Sequence, residues 1–180
     1  MTVEYHASVA EELYNDGKWR IVKETASLPD GRKKTIVRGY RPDVVSILAF
    51  PTPGRILLLR EYRVFDGGWV WMLPTGIVDK ESDPLEAAKR ELREETGFRA
   101  KTITHAFTGM HSETLVSLYH FYVATDLMKD PLPQDSDEMI EVHELPLQEA
   151  VNRVLDCSTP RMPSVFGLLR YLREHPKVGY

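Results

Sequence analysis

The sequence has a single cysteine, Cys157, and no apolar run long enough to cross a membrane. One thiol excludes an internal disulfide, and no base can be assigned beside it, so Cys157 is expected to be a small packing residue. Basic residues are also few: 23 Lys and Arg against 27 Asp and Glu give a net charge of −4. This balance argues against general nucleic-acid binding. The N-terminus is acidic and lacks the apolar core of a signal peptide, so a cytoplasmic location is expected.

The composition is that of an ordinary globular protein, with 42% hydrophobic and 28% charged residues in a chain of 180. We expect residues 44–180 to form the main domain and residues 1–43 to form a strand-rich extension. Within the extension, alternating residues at 19–25 and 34–38 flank an Asp-Gly turn, which predicts a β-hairpin. A hairpin is only marginally stable alone, so it must pack against another surface.

The rest of the chain alternates between strand and helix patterns. A nearly continuous apolar run at 44–50 predicts a buried strand, and the next strand is expected at 55–63. Helical periodicity predicts two supporting helices near the C-terminus. The helices are expected at 147–155 and 165–173. Three further strands are expected at 102–107, 116–124 and 139–142.

The segment Met72–Phe98 carries the most specific local signals. Ser82 or Asp83 is positioned to cap a helix, and Pro84 suits its first turn. Gly97 is typical of the residue that follows a helix. The sequence therefore predicts a helix between these signals.

Three carboxylates lie on one face of this predicted helix, since Glu91, Glu94 and Glu95 are three or four residues apart. Arg90 precedes Glu94 by four residues and offsets part of their repulsion. Clustered carboxylate oxygens are the ligands that Mg²⁺ and Mn²⁺ prefer. The alternative is a solvated acidic face, which is the commoner origin of an acidic run.

The spacing favours the metal interpretation, because the segment resembles the Nudix box, G-x5-E-x7-R-E-U-x-E-E-x-G-U, where U is a bulky aliphatic or aromatic residue. The first Glu of the pattern falls on Ser82, with Glu81 one residue early. The positions that match are Gly76, Arg90, Glu91, Leu92, Glu94, Glu95, Gly97 and Phe98.

The resemblance implies an α/β fold, the Nudix α/β/α sandwich around a mixed β-sheet, here with an N-terminal hairpin extension. It also implies metal-dependent hydrolysis of a nucleoside diphosphate linked to another group. Glu91 and Glu95 would be the main metal ligands, with Glu94 beside them and the carbonyl of Thr75 as a further ligand. Ser82 leaves the number of metal ions, and activity itself, open.

The N-terminal strands are similar to those of the ADP-ribose pyrophosphatase branch of this family. There the strands pair with a second subunit, and one of their aromatic residues stacks on the nucleobase. The resemblance therefore implies a homodimer and makes Trp19 the first candidate for stacking, followed by Tyr40 or Arg41. An anchor in the core or the subunit interface is an equally good interpretation of Trp19.

The same branch suggests roles for residues outside the box. Arg63 matches a position that contacts the diphosphate or the sugar, for which a guanidinium fork is suited. Residues 108–114 are expected to form a loop lining the site, with Met110 near the substrate and Glu113 near the metals or the distal sugar. Glu138, with Asp135 and Asp137 as neighbours, matches the residue that deprotonates or orients the attacking water.

The implied function is hydrolysis of ADP-ribose or a related nucleoside diphosphate sugar to a nucleoside monophosphate and a sugar phosphate. Mg²⁺ is the expected cofactor, with Mn²⁺ as the alternative. Two other functions remain open. The substrate could be GDP-mannose or a dinucleoside polyphosphate, or the chain could bind a nucleotide with little or no cleavage, an alternative that Ser82 favours.

Overall fold

The computed structural model describes residues 7–79 and 83–176, which form eleven β-strands and three α-helices. Ser82 and Glu81, the departure from the box and its neighbour, lie outside these residues. The described chain divides into two compact units. The first contains the residues up to Asp43 together with Gly109–Leu118, and the second contains Val44–Thr108 and the chain from Tyr119 onward.

The first unit contains the predicted hairpin. Strand β2 (Arg20–Ser27) pairs antiparallel with β3 (Lys33–Tyr40). The hairpin predicted from the alternating pattern and the Asp-Gly turn is therefore confirmed. Strand β1 (Ala7–Asn15) adds to the outer side of β2, and a two-residue strand, β9 (Leu115–Val116), runs parallel to β3. Strand β1 carries no alternating pattern, because its residues from Ala10 onward are all exposed.

The second unit contains two sheets. One is mixed, with strand order β7-β4-β10-β8, and the other is antiparallel, with order β11-β5-β6. Their bounds are β4 (Val44–Phe50), β5 (Arg55–Arg63), β6 (Gly68–Met72), β7 (Thr75–Ile77), β8 (Phe98–Met110), β10 (Leu118–Lys129) and β11 (Ile140–Pro146).

Helices cover both faces of β4. Helix α1 (Pro84–Thr96) packs on the face that carries Val45 and Ile47. Helices α2 (Leu147–Leu155) and α3 (Met162–Glu174) pack on the opposite face, which carries Leu48 and Phe50. Since successive side chains of a strand point to opposite faces, one buried strand supplies two cores. The expected α/β/α arrangement with a mixed sheet is confirmed, with the strands divided between two sheets.

Several predicted boundaries were wrong, among them the end of β8 and the start of α3. Residues 108–110 belong to β8 and not to the predicted loop, because the strand continues through Met110. Helix α3 begins at Met162, three residues earlier than expected, because Pro163 lies in its first turn, where no backbone N–H is needed.

None of the helices in residues 7–79 and 83–176 is long and apolar enough to cross a membrane.

A glycine of α3 allows this helix to approach the mixed sheet. A Cβ atom at Gly167 would lie 2.8 Å from Cε1 of Phe121 and 3.3 Å from Cδ1 of Leu73, both buried side chains. We expect Gly167→Ala to lower the free energy of unfolding by about 1–3 kcal/mol through overpacking, although Ala favours a helix interior by about 1 kcal/mol. Urea unfolding measures the change. An unchanged or higher midpoint would show that the ring of Phe121 can move aside.

Candidate active site

The box helix begins and ends at the residues that the sequence indicates. Asp83 is the N-cap, and its Oδ1 accepts a hydrogen bond from the backbone N–H of Leu85 at 2.9 Å. Pro84 occupies the first turn. Gly97 ends the helix in the left-handed conformation, with φ of +76°, which glycine adopts without strain. These local signals set where α1 begins and ends.

Glu95 is held against the first residue of β7. Only 6% of the residue is exposed, and its Oε2 accepts a hydrogen bond from the backbone N–H of Thr75 at 2.8 Å. Burial, and then the charge of Glu91, raise the pKa of Glu95 well above its usual value. Glu95 is thus a buried carboxyl group held in one orientation, and a nearby cation would favour its ionised form.

Glu91 occupies the space that a side chain at position 76 would fill. A Cβ on Gly76 would lie 1.8 Å from Cδ and 2.0 Å from Oε1 of Glu91. Burial raises the pKa of Glu91 to about 7. The box therefore needs glycine at this position because the carboxylate of α1 lies directly against the backbone of β7.

Arg90 connects the carboxylates to each other and to β7. Its Nη1 lies 2.7 Å from Oε1 of Glu91 and donates a hydrogen bond of 2.6 Å to Oε2 of Glu94. Its Nη2 donates to the carbonyl of Ile77 at 3.3 Å. The guanidinium neutralises part of the negative charge that the three glutamates bring together.

The donor set matches a hard divalent cation in chemistry, since Glu91, Glu94 and Glu95 supply only carboxylate oxygens. No three His, Cys, Asp or Glu side chains converge on one point among residues 7–79 and 83–176. The Arg90 guanidinium bridges Glu91 and Glu94 instead. A divalent cation that bound these glutamates would neutralise the negative charge that Arg90 now neutralises.

Glu138 lies on the turn that leads into β11, and the residue is exposed to solvent. Partial loss of water around its carboxyl group, and then the charge of Glu61, raise the pKa of Glu138. Glu138 in turn contributes to the raised pKa values of Glu91 and Glu95. The carboxyl group from the turn before β11 thus belongs electrostatically to the same cluster as the glutamates of α1.

Glu61 is an acidic residue of this cluster that the sequence analysis missed. It is 3% exposed, and its Oε2 lies 2.6 Å from Nη2 of Arg63. Burial, partly offset by Arg63 and Arg161, raises the pKa of Glu61. A signal was present in the sequence: Glu61 continues the alternation of Leu57 and Leu59, so it had to share their buried face.

The other predicted substrate-binding residues lie in the first unit. Trp19 is 39% exposed, and the guanidinium carbon of Arg41 lies 5.8 Å from the centroid of its ring. Glu113 is exposed and pairs with Lys34 at 2.8 Å. Met110 is half exposed at the end of β8. Of these four residues, the structure brings Trp19 and Arg41 together.

Comparison with known proteins gives one family and several relatives. The family profile described as "NUDIX domain" matches residues 40–166. A hydrolase of CMP-5′-(N-acetyl-N-hydroxy-3-aminopropyl)phosphonate from Streptomyces rubellomurinus is 34% identical over 90% of this chain and 80% of its own. An ADP-ribose pyrophosphatase from Bacillus subtilis is 29% identical over 80% of each chain. The crystal structure of an ADP compounds hydrolase superposes with a TM-score of 0.79 at 23% identity, over 96% of each chain, a likeness in fold.

Proposed function

Since this chain belongs to the NUDIX family, we propose that it hydrolyses the diphosphate bond of ADP-ribose or a related nucleoside diphosphate sugar. The products would be a nucleoside monophosphate and a sugar phosphate. The names of the two relatives support this reaction class, because each describes the hydrolysis of a nucleotide joined to another group. The base and the attached group are therefore the variables that a substrate panel has to cover.

One observation carries the proposal more than any other. Two carboxylates of α1 lie directly against the backbone of β7: Glu91 fills the space beside Gly76, and Glu95 accepts the N–H of Thr75. A scaffold alone has no need for buried acids at these two positions, and their burial is costly. Their orientation toward one backbone segment suits the binding of a cation that must also contact a diphosphate.

Glu91, Glu94, Glu95 and the carbonyl of Thr75 are the proposed ligands of Mg²⁺, with Mn²⁺ as the alternative. A divalent cation supplies charge neutralisation for the diphosphate and makes a nearby water more acidic. The Thr75 N–H keeps Glu95 in one orientation, and Gly76 leaves room for Glu91. These two contacts prepare the carboxylates before any ligand arrives.

Glu138 is the proposed general base. Its raised pKa shows that its carboxyl group holds a proton more readily than usual, which suits a group that accepts a proton from water. The water oxygen would bond to one phosphorus while the bond from that phosphorus to the bridging oxygen breaks. Arg63, at the end of β5, would bind oxygens of the diphosphate through its guanidinium.

The first unit is proposed to recognise the nucleotide and to form a homodimer. Trp19 supplies an exposed ring for stacking on a nucleobase, and Arg41 lies against that ring. Met110 and Glu113 are proposed as further substrate contacts. A cytoplasmic location is part of the same proposal.

The test is product analysis with a panel of substrates. We expect the protein with Mg²⁺ to convert ADP-ribose to AMP and ribose 5-phosphate, and excess EDTA to stop the reaction because the carboxylates then have no cation to position. The panel should also contain GDP-mannose, UDP-glucose, a diadenosine polyphosphate, dGTP and a CMP-linked phosphonate. Chromatography identifies the products, and restored Mg²⁺ or Mn²⁺ controls for damage by the chelator.

The outcomes separate the proposed functions. Cleavage of GDP-mannose or the diadenosine compound in preference to ADP-ribose would keep the reaction and change the substrate. Binding of ADP-ribose without product, with either metal, would favour a nucleotide-binding module and make Ser82→Glu the next variant.

A further inference from the structure

The ion pair of Glu61 and Arg63 lies at the end of β5. Nη2 of Arg63 approaches Oε2 of Glu61 to 2.6 Å, at angles that do not meet those of a hydrogen bond. Nε of Arg63 is also buried, and neither it nor Oε2 of Glu61 finds a hydrogen-bond partner in the described part of the chain. Nη2 makes a second, weak contact, with the sulfur of Met72 at 3.5 Å. The two side chains are held together by opposite charge, and part of their hydrogen-bonding capacity is unused.

Such an arrangement is costly for a scaffold position. A buried carboxylate loses its hydration, and an apolar residue would continue the face of Leu57 and Leu59 without that cost. Unsatisfied buried polar atoms are rare and are found mainly at sites of function. Glu61 therefore has a role that a leucine or valine would not perform.

The two side chains differ in exposure. Only 4% of the Glu61 side chain is exposed, whereas 40% of the Arg63 side chain is. Arg63 thus extends from a buried partner to the surface, and Glu61 holds the inner part of its guanidinium. An arginine anchored on one edge presents its other edge in a preset orientation, which reduces the entropy lost on binding an anion.

We propose that Glu61 is a positioning residue, which holds Arg63 so that its guanidinium binds the diphosphate of the substrate. This rests on the proposed function, since it assigns the ligand of Arg63 to the diphosphate. Glu61 touches Arg63 and does not touch the substrate. Its contribution should therefore appear in binding and should depend on Arg63.

The experiment compares Glu61→Gln, Arg63→Gln and the double variant with the wild-type protein. Calorimetry gives Kd for ADP-ribose with a methylene group in place of the bridging oxygen, which cannot be cleaved there, and turnover of ADP-ribose gives KM and kcat. We expect Glu61→Gln to raise Kd and KM about tenfold and leave kcat within about twofold, because binding orientation is lost while the carboxylates of α1 are intact. In the Arg63→Gln background, Glu61→Gln should have no further effect.

Glu144→Gln is the matched control. Glu144 of β11 pairs with Arg55 of β5 at 2.6 Å, but both side chains are more than 40% exposed. This variant removes the same charge from an arginine and should leave Kd unchanged. If Glu61→Gln does not fold, as judged by thermal unfolding, Glu61→Asp keeps the charge and withdraws the carboxylate by one methylene, and it should also raise Kd.

An unchanged Kd in a folded Glu61→Gln protein would overturn the inference. An equal rise in Kd with and without Arg63 would also overturn it, because Glu61 would then act by another route. A wild-type protein that binds the analogue but cleaves nothing would contradict the proposed function, and the effect of Glu61→Gln on Kd would still decide the inference. A wild-type protein that does not bind the analogue would overturn both.

Discussion

Replacing Glu95 by Gln is expected to lower kcat for ADP-ribose by about 10³-fold or more. Glu95 is buried, and its Oε2 accepts the N–H of Thr75 at 2.8 Å. A Gln amide oxygen can accept the same hydrogen bond, so the fold should be retained. What the variant loses is the negative charge that a divalent cation needs.

The matched control for this prediction is Glu86→Gln, in the first turn of the same helix. Glu86 is exposed and pairs with Lys89 at 2.7 Å, so its removal costs little stability and should leave turnover unchanged. AMP release with saturating Mg²⁺ is the measurement, with thermal unfolding to verify folding. Wild-type turnover by Glu95→Gln would contradict the proposed role of the α1 carboxylates.

Gly76→Ala is expected to reduce kcat/KM by about 100-fold or more while changing stability little. The new Cβ would fall 1.8 Å from Cδ of Glu91, so this carboxylate has to leave its position. The displaced atoms are the far end of a flexible side chain, and a change of rotamer relieves the clash at a cost of about 1 kcal/mol. The same movement takes away a proposed cation ligand, so function suffers much more than folding.

Gly68→Ala is the control for this substitution. Gly68 lies in β6, and a Cβ there would meet no atom within 4 Å. Steady-state kinetics and urea unfolding should be measured for both variants. A Gly76→Ala protein that is fully active would show that Glu91 can work from another rotamer, and a protein that does not fold would show that the close approach is needed for folding.

Much of the fold could be predicted because its signals are local. Helix α1 runs from Pro84 to Thr96 because a capping Asp83 and a terminal Gly97 act on the backbone next to them. Strand β4 could be recognised from its run of apolar residues, since a strand that is buried on both faces has no polar side. The alternation around Asp30 and Gly31 likewise predicted the hairpin of β2 and β3.

Other features depend on partners that are remote in the chain. Strand β1 forms because β2 offers it a row of backbone hydrogen bonds, and its own exposed side chains carry no strand pattern. Strand β8 extends through Met110, although the family resemblance implied a loop over residues 108–114. In both cases tertiary pairing overrides local preference.

The candidate site likewise has features that the sequence predicts and features that depend on the folded chain. Spacing along the chain was enough to place Glu91, Glu94 and Glu95 on one face of a helix, because the period of a helix is constant. Two features required the folded chain: the approach of Glu91 to Gly76 and the hydrogen bond from Thr75 to Glu95. Each joins α1 to β7, and the separation of these two elements is set by how they pack.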